Sequence, residues 1–342
     1  MGQAISKLTI KGYKSIRSLE NFELRNLNIL IGPNGSGKSN FLSFFELLQA
    51  IAKEKGLPPF YVEKKGGADK FLYLGPKVTQ SIKAELEIVN LPLKYTFELS
   101  VTVNNKFSRS TIMPIWDPNF AHLTRHDIEE IFSTYHFHDT SDFAGVKRPC
   151  SKRDYEYLRP DASNLAAFLL FLKKKYEKEY QYIREVIQLA APFFDDFLLR
   201  EEDDKDDILL EWRQKGSDYP FHPSQISDGT LRFICLTTAL LQPNPPSMIL
   251  LDEPELGLHP YALTLLAGLI QKASIKTQVI VATQSAGLIS QFDPNDIIVV
   301  ERKNEESIFR RLPLEKLKQW IDDYSLGELW EMNLLEGRPE NE

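Results

Sequence analysis

The chain has 342 residues, of which 42% are hydrophobic and 26% are charged, and its formal net charge is −7 at pH 7. This composition is ordinary for a globular protein with a substantial core, and the negative charge argues against a protein that coats nucleic acid by bulk electrostatics. The 2 cysteines are too few for a disulfide scaffold, and no run reaches the about 20 apolar residues of a membrane span. We expect a cytoplasmic protein that does not act in a membrane.

A glycine-rich loop near the N-terminus carries the strongest signal. Residues 5–31 alternate between apolar and polar side chains and predict two or three strands, the last being the apolar run 27–31. Residues 32–39 then read Gly-Pro-Asn-Gly-Ser-Gly-Lys-Ser, and a helical pattern covers 40–50. A strand, a loop with the spacing GxxxxGK[ST] and a helix, in this order, predict a phosphate-binding P-loop, or Walker A motif. A chance glycine and serine turn would not have both flanking elements.

The residue types of the P-loop suit a nucleoside triphosphate. Its glycines let successive backbone N–H groups turn toward the phosphates, and the following helix adds its positive N-terminal end. Lys38 can reach the β- and γ-phosphates, and the Ser39 hydroxyl can bind Mg²⁺. The predicted nucleotide-binding residues of this loop are Pro33, Asn34, Gly35, Ser36, Gly37, Lys38, Ser39 and Asn40.

The middle of the chain is less diagnostic. Residues 81–89 and 95–103 predict a β-hairpin, and residues 163–190 have a helical pattern with a polar break at 173–175. Because no sustained heptad repeat is present, we expect a compact helical insertion and not a long coiled coil. The predicted domains are an N-terminal lobe at 1–103, a helical insertion or lever at 104–195 and a C-terminal lobe at 196–342.

A capped helix follows in the C-terminal lobe. Ser227 is a good N-cap, and apolar residues then recur at steps of three and four until prolines at 243, 245 and 246 end the pattern. The ordinary interpretation is a capped amphipathic helix with its apolar stripe on Leu231, Ile234, Cys235, Thr238 and Leu241. The functional interpretation is a helix N-terminus that presents Ser227 and backbone amides to a γ-phosphate.

Two carboxylates end the next apolar run. Residues 248–251 are continuously apolar, which is typical of a central parallel strand, and Asp252 and Glu253 follow directly. Ligands of open α/β sheets bind at such strand ends. Asp252 would belong to the Mg²⁺ shell, as a Walker B aspartate does, and Glu253 would orient and deprotonate the attacking water. A further strand at 279–283 precedes Gln284, and we expect one more strand at 297–300 and then a tail.

Together these motifs resemble the ABC-type ATPase head of the SMC/RecF-like class. The order is P-loop, long insertion, Ser-Asp-Gly-Thr and Leu-Leu-Asp-Glu-Pro-Glu, and residues 8–16 resemble the first strand of that class. Residues 253–260 are similar to the EPExxLHP stretch of stand-alone bacterial ATPases related to the overcoming-lysogenisation-defect (OLD) nucleases. The resemblance implies an α/β P-loop NTPase fold with a mixed central sheet, an antiparallel β subdomain and a helical insertion.

The resemblance also implies how the site would work. In this class the signature, here Ser227 and Gly229, contacts the ATP held by the P-loop of a second head, so the protein would form an ATP-dependent homodimer or an assembly of dimers. Lys38, Glu253 and Gln284 are the implied catalytic residues, with ATP and Mg²⁺ as cofactors and Ser39 and Asp252 on the metal. Relatives usually carry histidine at the position of Gln284, which implies slow or partner-dependent hydrolysis because an amide cannot carry a proton charge.

Three functions remain open at this stage. The first is an ATP-driven switch that controls a separate effector protein, such as a nuclease, in DNA repair or anti-phage defence, with nucleic acid as an additional partner. The second is a scaffold that ATP locks with negligible turnover, which Gln284 favours and Glu253 opposes. The third, a transporter ATPase, is disfavoured by the Glu-Pro-Glu-Leu stretch and the large insertion.

Overall fold

The computed structural model describes residues 5–53, 57–88, 94–113, 132–135, 137, 139–201, 206–313, 317, 320 and 323–335. Its contacts divide the chain into two compact units, each of which is built from separate stretches of sequence. We call residues 1–134, 246–252 and 274–342 the P-loop unit, and residues 135–245 and 253–273 the signature unit.

The strands, in chain order, are β1 (Ile5–Tyr13), β2 (Ile16–Glu23), β3 (Leu27–Ile31), β4 (Ser81–Ile88), β5 (Lys94–Val101), β6 (Phe107–Met113), β7 (Phe132–Tyr135), β8 (Cys150–Ser151), β9 (Phe194–Leu198), β10 (Asp207–Ile208), β11 (Glu211–Gln214), β12 (Pro220–Phe221), β13 (Met248–Asp252), β14 (Gln278–Thr283), β15 (Ile297–Lys303) and β16 (Glu306–Arg311). The helices are α1 (Lys38–Lys53), α2 (Pro59–Lys64), α3 (Leu165–Lys175), α4 (Glu177–Ala190), α5 (Asp228–Leu241), α6 (Pro260–Ser274), α7 (Ala286–Ile289) and α8 (Leu326–Glu331).

A mixed central sheet forms the base of the P-loop unit. In the described part of the chain its strand order is β16-β15-β3-β14-β13-β7, with β15, β3, β14 and β13 parallel and β16 antiparallel to β15. All residues of β3 and β14 are buried. Both strands are therefore covered on each face, which explains their predominantly apolar sequences.

An antiparallel sheet in the order β2-β1-β4-β5-β6 completes the P-loop unit among the described residues. Strands β4 and β5 pair in an uninterrupted register, as the hairpin pattern predicts. Three aromatic side chains of α1, from Phe41, Phe44 and Phe45, belong to the same buried cluster as the inner face of this sheet. The predicted fold class, with its mixed central sheet and antiparallel β subdomain, is confirmed.

The signature unit contains the helices α3, α4 and α5 and a small antiparallel sheet in the order β12-β11-β9. The helical insertion is present, and its break falls at Tyr176, directly after the three lysines. The helix predicted after Ser227 is present as α5, and four of the five residues of its predicted apolar stripe are buried, but burial is not confined to that stripe. Every residue from 231 to 240 is buried, because α5 is a central helix covered on all sides.

The C-terminal segment also differs from its prediction. In place of one strand and a tail, β15 extends to Lys303 and turns into β16 through Asn304 and Glu305. Both turn residues have positive φ, +49° and +66°, as a two-residue type I′ hairpin requires. Among the residues that the structure describes, no helix combines the length and the apolar character of a membrane span.

Candidate nucleotide-binding site

The P-loop unit brings several predicted residues to one edge of the central sheet. Strand β14 lies between β3 and β13, with Thr283 paired to Ile31 and Ala282 paired to Asp252. These strands run parallel, so their carboxyl ends meet at the same edge. The start of the P-loop, Gln284 and Asp252 therefore follow one another along three adjacent strand ends.

Glycines shape the P-loop for two different reasons. Gly35 and Gly37 have φ values of +77° and +112°, which turn the backbone in a way that L side chains rarely adopt. Gly32 instead allows close approach, because a Cβ there would lie 2.2 Å from the carbonyl oxygen of Val300 on β15. The motif spacing therefore reflects both backbone conformation and the packing of the loop against its neighbouring strand.

Lys38 begins α1 and lies almost entirely inside the protein, with 5% of its surface exposed. Its Nζ donates to the carbonyl oxygens of Gly32, at 2.6 Å, and Pro33, at 3.0 Å. The next residue, Ser39, is exposed. The side-chain amide of Asn40 donates a hydrogen bond to Ser15 Oγ at 2.8 Å. The ammonium group is thus held inside the loop that the sequence predicts to receive phosphates, and Asn40 contributes to the support of this loop.

Asp252 is the last residue of β13 and is half-buried. Its Oδ1 atom is buried and has no hydrogen-bond partner among the described residues. A carboxylate oxygen and a serine hydroxyl are hard oxygen ligands of the kind that Mg²⁺ prefers, so Asp252 and Ser39 fit this ion. No group of three or more His, Cys, Asp or Glu side chains in the described ranges could hold a metal alone. Mg²⁺ in such sites commonly takes its further ligands from water and substrate phosphates.

The turn after β14 fixes the position of Gln284. Thr283 Oγ1 accepts a hydrogen bond from the Ser285 backbone N–H at 3.0 Å, and Ser285 caps α7 through the Leu288 N–H. Gln284 lies between these two anchors and is half-buried. Its amide can donate or accept a hydrogen bond, in contrast to a charged histidine.

A lysine behind α1 was not identified from the sequence as a functional residue. Lys14 Nζ donates to Ser43 Oγ at 2.7 Å and lies over the rings of Tyr13 and Phe71. Burial lowers the pKa of Lys14 to about 8, against a smaller opposing effect of Glu46. Ser43 is one helical turn beyond Ser39, so this cation supports the first turns of the helix that begins in the P-loop.

In the signature unit, Ser227 caps α5. Its Oγ accepts from the Thr230 N–H at 3.2 Å and lies 2.8 Å from Thr230 Oγ1, and the side chain is exposed. Gly229 packs against the loop that follows Glu253, because a Cβ on Gly229 would lie 2.2 Å from the Gly257 carbonyl oxygen. The helix start is thus supported from behind, while Ser227 faces solvent within this unit.

Two buried cations lie beside this helix start, and the sequence motifs did not identify either of them as a buried support. Arg232 Nε donates to the Phe137 carbonyl at 2.9 Å, and a second guanidinium N–H donates to the Leu256 carbonyl. Lys147 Nζ donates to the Thr140 carbonyl at 2.5 Å and lies 3.6 Å from Asp228 Oδ1. The signal for Arg232 was available, because a charged residue inside a continuous apolar helix must have polar partners.

Glu253 lies in the signature unit by its contacts, directly after Asp252. Its φ is +42°, a left-handed conformation that costs a non-glycine residue about 1–2 kcal/mol. Such conformations persist only where the surrounding structure imposes them, and they concentrate at functional sites. The P-loop unit therefore holds the Walker A residues, Asp252 and Gln284, whereas Glu253, Ser227 and Gly229 belong to the other unit.

Comparison with known proteins is consistent with these observations. The family profile described as "AAA domain, putative AbiEii toxin, Type IV TA system" matches residues 27–290. A crystal structure of an SMC head bound to the C-winged helix domain of ScpA is similar with a TM-score of 0.65 and 18% identity, covering 92% of this chain and 99% of that one. An SMC head with an extended coiled coil, bound to the C-terminal domain of ScpA derived from Pyrococcus furiosus, has a TM-score of 0.60 and 17% identity, covering 94% and 99%. No curated protein matched the sequence.

Proposed function

The chain belongs to this AAA-domain family, and we propose that it is a magnesium-dependent ATPase whose nucleotide cycle closes and opens a pair of heads. The observation that carries the proposal is the buried Lys38 inside a glycine-shaped loop. This loop follows β3, and Asp252 ends β13 of the same central sheet. The motif alone would indicate nucleotide binding. The orphaned Asp252 oxygen adds a reason to expect a metal-bound nucleotide.

The P-loop residues would bind and orient the triphosphate. Lys38 would exchange its bonds to the neutral Gly32 and Pro33 carbonyls for bonds to phosphate oxygens, in which both the donor and the acceptor are charged. Backbone N–H groups of the turned loop would donate further hydrogen bonds to the phosphate oxygens. Catalysis of phosphoryl transfer rests mostly on such positioning and electrostatic stabilisation.

Ser39 and Asp252 would hold Mg²⁺, which neutralises charge on the β- and γ-phosphate oxygens when bound. Glu253 would accept a proton from the attacking water, because its carboxylate directly follows the Asp252 strand end. Gln284 would orient that water by a hydrogen bond but could not donate a charge-balancing proton. We therefore expect slow turnover.

Ser227 and Gly229 would complete the site of a second copy. Their position at an exposed helix N-terminus supports this role, since such a terminus binds anions through free amides and its dipole. The resulting dimer would carry two composite sites. We further propose that this cycle controls a separate effector in DNA repair or anti-phage defence, as in ATPases related to the OLD nucleases. Supporting this idea, solved SMC heads of the same fold are bound to partner domains.

The test is a comparison of wild type with Glu253→Gln. We expect the variant to retain Mg·ATP binding but to lose about 100-fold or more in steady-state ATP turnover, because general-base catalysis contributes about 10²–10⁴-fold. Light scattering after size exclusion should find twice the monomer mass for this variant with Mg·ATP and the monomer mass without it. A nucleotide-independent mass would contradict the ATP-driven closure.

A second function, an ATP-locked scaffold, is favoured by Gln284 at the position where relatives carry histidine. In that case wild type and Glu253→Gln would bind ATP equally, form the same ATP-dependent dimer and show equal, negligible turnover. A wild-type rate clearly above that of the variant would exclude the scaffold.

A further inference from the structure

The hairpin formed by β15 and β16 packs directly against the P-loop, although nothing in the motif requires it. Ser307 on β16 is 3% exposed, and its backbone N–H donates to the Ser15 carbonyl at 2.8 Å. Its Oγ lies 2.6 Å from the Ser36 carbonyl oxygen and 2.7 Å from Ser15 Oγ. A residue from the C-terminal part of the chain therefore holds the backbone of the phosphate loop.

The hydrogens of this cluster can be assigned. A carbonyl only accepts, so Ser307 Oγ is the donor to Ser36 O. Ser307 Oγ is also the donor in its contact with Ser15 Oγ, so its single hydrogen is shared between these two acceptors. Ser15 in turn accepts from the Asn40 amide at 2.8 Å. The result is a hydrogen-bonded relay that connects Asn40, Ser15, Ser307 and the Ser36 carbonyl, with Asn40 and Ser307 as donors.

The relay and the glycine of the motif are sterically linked. A Cβ on Gly37 would lie 2.0 Å from Ser307 Oγ and 2.7 Å from Ser15 Oγ. The space beside Gly37 is therefore filled by the two relay hydroxyls. Because Gly37 also has a φ of +112°, the serines pack against the most strongly turned residue of the loop.

The hairpin fixes Ser307 in turn. Ser307 pairs with Arg302 in the β15–β16 ladder, close to the tight turn at Asn304 and Glu305. Both turn residues are largely exposed, whereas Ser307 is buried. A two-residue turn sets the register of its strands, so the position of the Ser307 hydroxyl depends on the hairpin geometry.

We infer that Ser307 is a positioning residue for nucleotide binding, which holds the Ser36–Gly37 peptide of the P-loop in its phosphate-receiving conformation through the Asn40–Ser15–Ser307 relay. The inference rests on the proposed function. Ser307 affects nucleotide affinity because the loop amides must keep their inward orientation. A loop that is already ordered loses less conformational entropy on binding and therefore binds more tightly.

The test compares Ser307→Ala, Ser15→Ala and their double variant with Ser6→Ala. Ser6 is the matched control, because its Oγ also donates to a carbonyl, that of Glu87 at 3.1 Å, but in the antiparallel sheet. Two measurements are made on the full chain. The first is hydrogen exchange of the segment 32–42 without nucleotide. The second is the Kd for a fluorescent ATP analogue with Mg²⁺.

We expect loop exchange in Ser307→Ala to be about fivefold faster than in wild type, since one lost hydrogen bond is worth about that factor. The Kd should increase by about 5- to 30-fold, whereas kcat at saturating ATP stays within about twofold because the reacting groups are intact. The double variant should be no worse than Ser307→Ala, because either change breaks the same relay. Ser6→Ala should leave both measurements unchanged.

Equal loop exchange in Ser307→Ala and Ser6→Ala would overturn the inference, as would faster exchange with an unaltered Kd. If Ser307→Ala unfolds, Ser15→Ala carries the test, since it removes the middle of the relay without altering β16. If wild type binds no nucleotide, the proposed function fails and the inference that Ser307 serves nucleotide binding fails with it. Faster loop exchange in Ser307→Ala would then leave a purely structural role.

Discussion

The P-loop and the start of α5 are both helix N-termini predicted to contact ATP, yet they are built differently. The P-loop is enclosed, with Lys38 buried and two strands, β15 and β16, pressed against its glycines. The start of α5 is open, with Ser227 exposed and its hydroxyl engaged by its own helix. Behind it, Gly257 and the Arg232 side chain provide support.

The difference indicates which of the two helix N-termini can bind phosphate within a single chain. An enclosed loop with fixed amides is preorganised, so it can bind phosphate within one chain. An exposed helix start, supported only from behind, offers its amides to another molecule. This contrast agrees with the proposal that the P-loop binds ATP in each copy and that the signature contacts the ATP of a second copy.

Four substitutions test this contrast, in order from the largest expected effect to the smallest.

The largest effect is expected for Gly37→Ala. A Cβ there meets Ser307 Oγ at 2.0 Å, and the φ of +112° is strained for alanine. Overpacking and backbone strain each cost about 1–3 kcal/mol, so we expect the free energy of unfolding to decrease by about 2–5 kcal/mol. Urea unfolding without nucleotide measures this change. The control is Gly35→Ala, whose Cβ meets nothing within 4 Å and which should lose only about 1 kcal/mol. Equal losses would mean that β16 does not enclose the loop.

Lys38→Ala should weaken Mg·ATP binding by about 100-fold, because a charge-assisted bond is worth about 1.5–3 kcal/mol and the ammonium makes more than one. Titration with a fluorescent ATP analogue measures the Kd. The control is Lys83→Ala, which removes an exposed lysine that pairs with Glu98 at 3.3 Å in the antiparallel sheet. A similar loss in both variants would argue against a P-loop role for Lys38.

Lys14 gives a pH-dependent test of the support behind α1. Its pKa is about 8 in the folded protein and 10.5 in the unfolded chain, so the unfolded chain binds more protons between these values. Stability must therefore increase with pH in this window. Relative to Lys14→Met, wild type should gain about 1–2 kcal/mol in unfolding free energy from pH 7 to pH 9.5. Lys11→Met, at an exposed lysine paired with Glu20, should reproduce the wild-type pH dependence. A pH-independent difference between wild type and Lys14→Met would contradict this burial.

Ser227→Ala should have the smallest effect on stability and a selective effect on assembly. Loss of the cap costs about 1 kcal/mol, and loss of the trans contact should remove the ATP-dependent dimer formed on the Glu253→Gln background. Light scattering measures the mass. Ser325→Ala is the control, because Ser325 caps α8 through the Glu328 N–H and lies in the P-loop unit. A dimer that survives Ser227→Ala would place the signature outside the interface.

Short-range patterns explain why much of the fold could be predicted. Strands β3, β13 and β14 are predominantly apolar runs, and the GxxxxGK[ST] spacing identifies the loop and the helix that follow β3. The helix α6 between β13 and β14 favours their parallel pairing. The cap at Ser227 is equally local. In contrast, the apolar stripe predicted for α5 did not indicate how much of the helix is buried, because a helix covered on all sides has no polar face.

The sequence by itself determined that the P-loop could adopt its turned conformation, because glycines at 35 and 37 permit positive φ. Only the tertiary structure decided what holds that loop. Ser307, on β16 of the central sheet, and Ser15, in the turn between β1 and β2 of the antiparallel sheet, are 292 residues apart, and no periodic or spacing signal near either residue indicates their contact. Arg232 likewise acquires its partners, the carbonyls of Phe137 and Leu256, from distant segments. Motifs encode backbone geometry, whereas the buried polar contacts that fix it depend on which segments the folded core brings together.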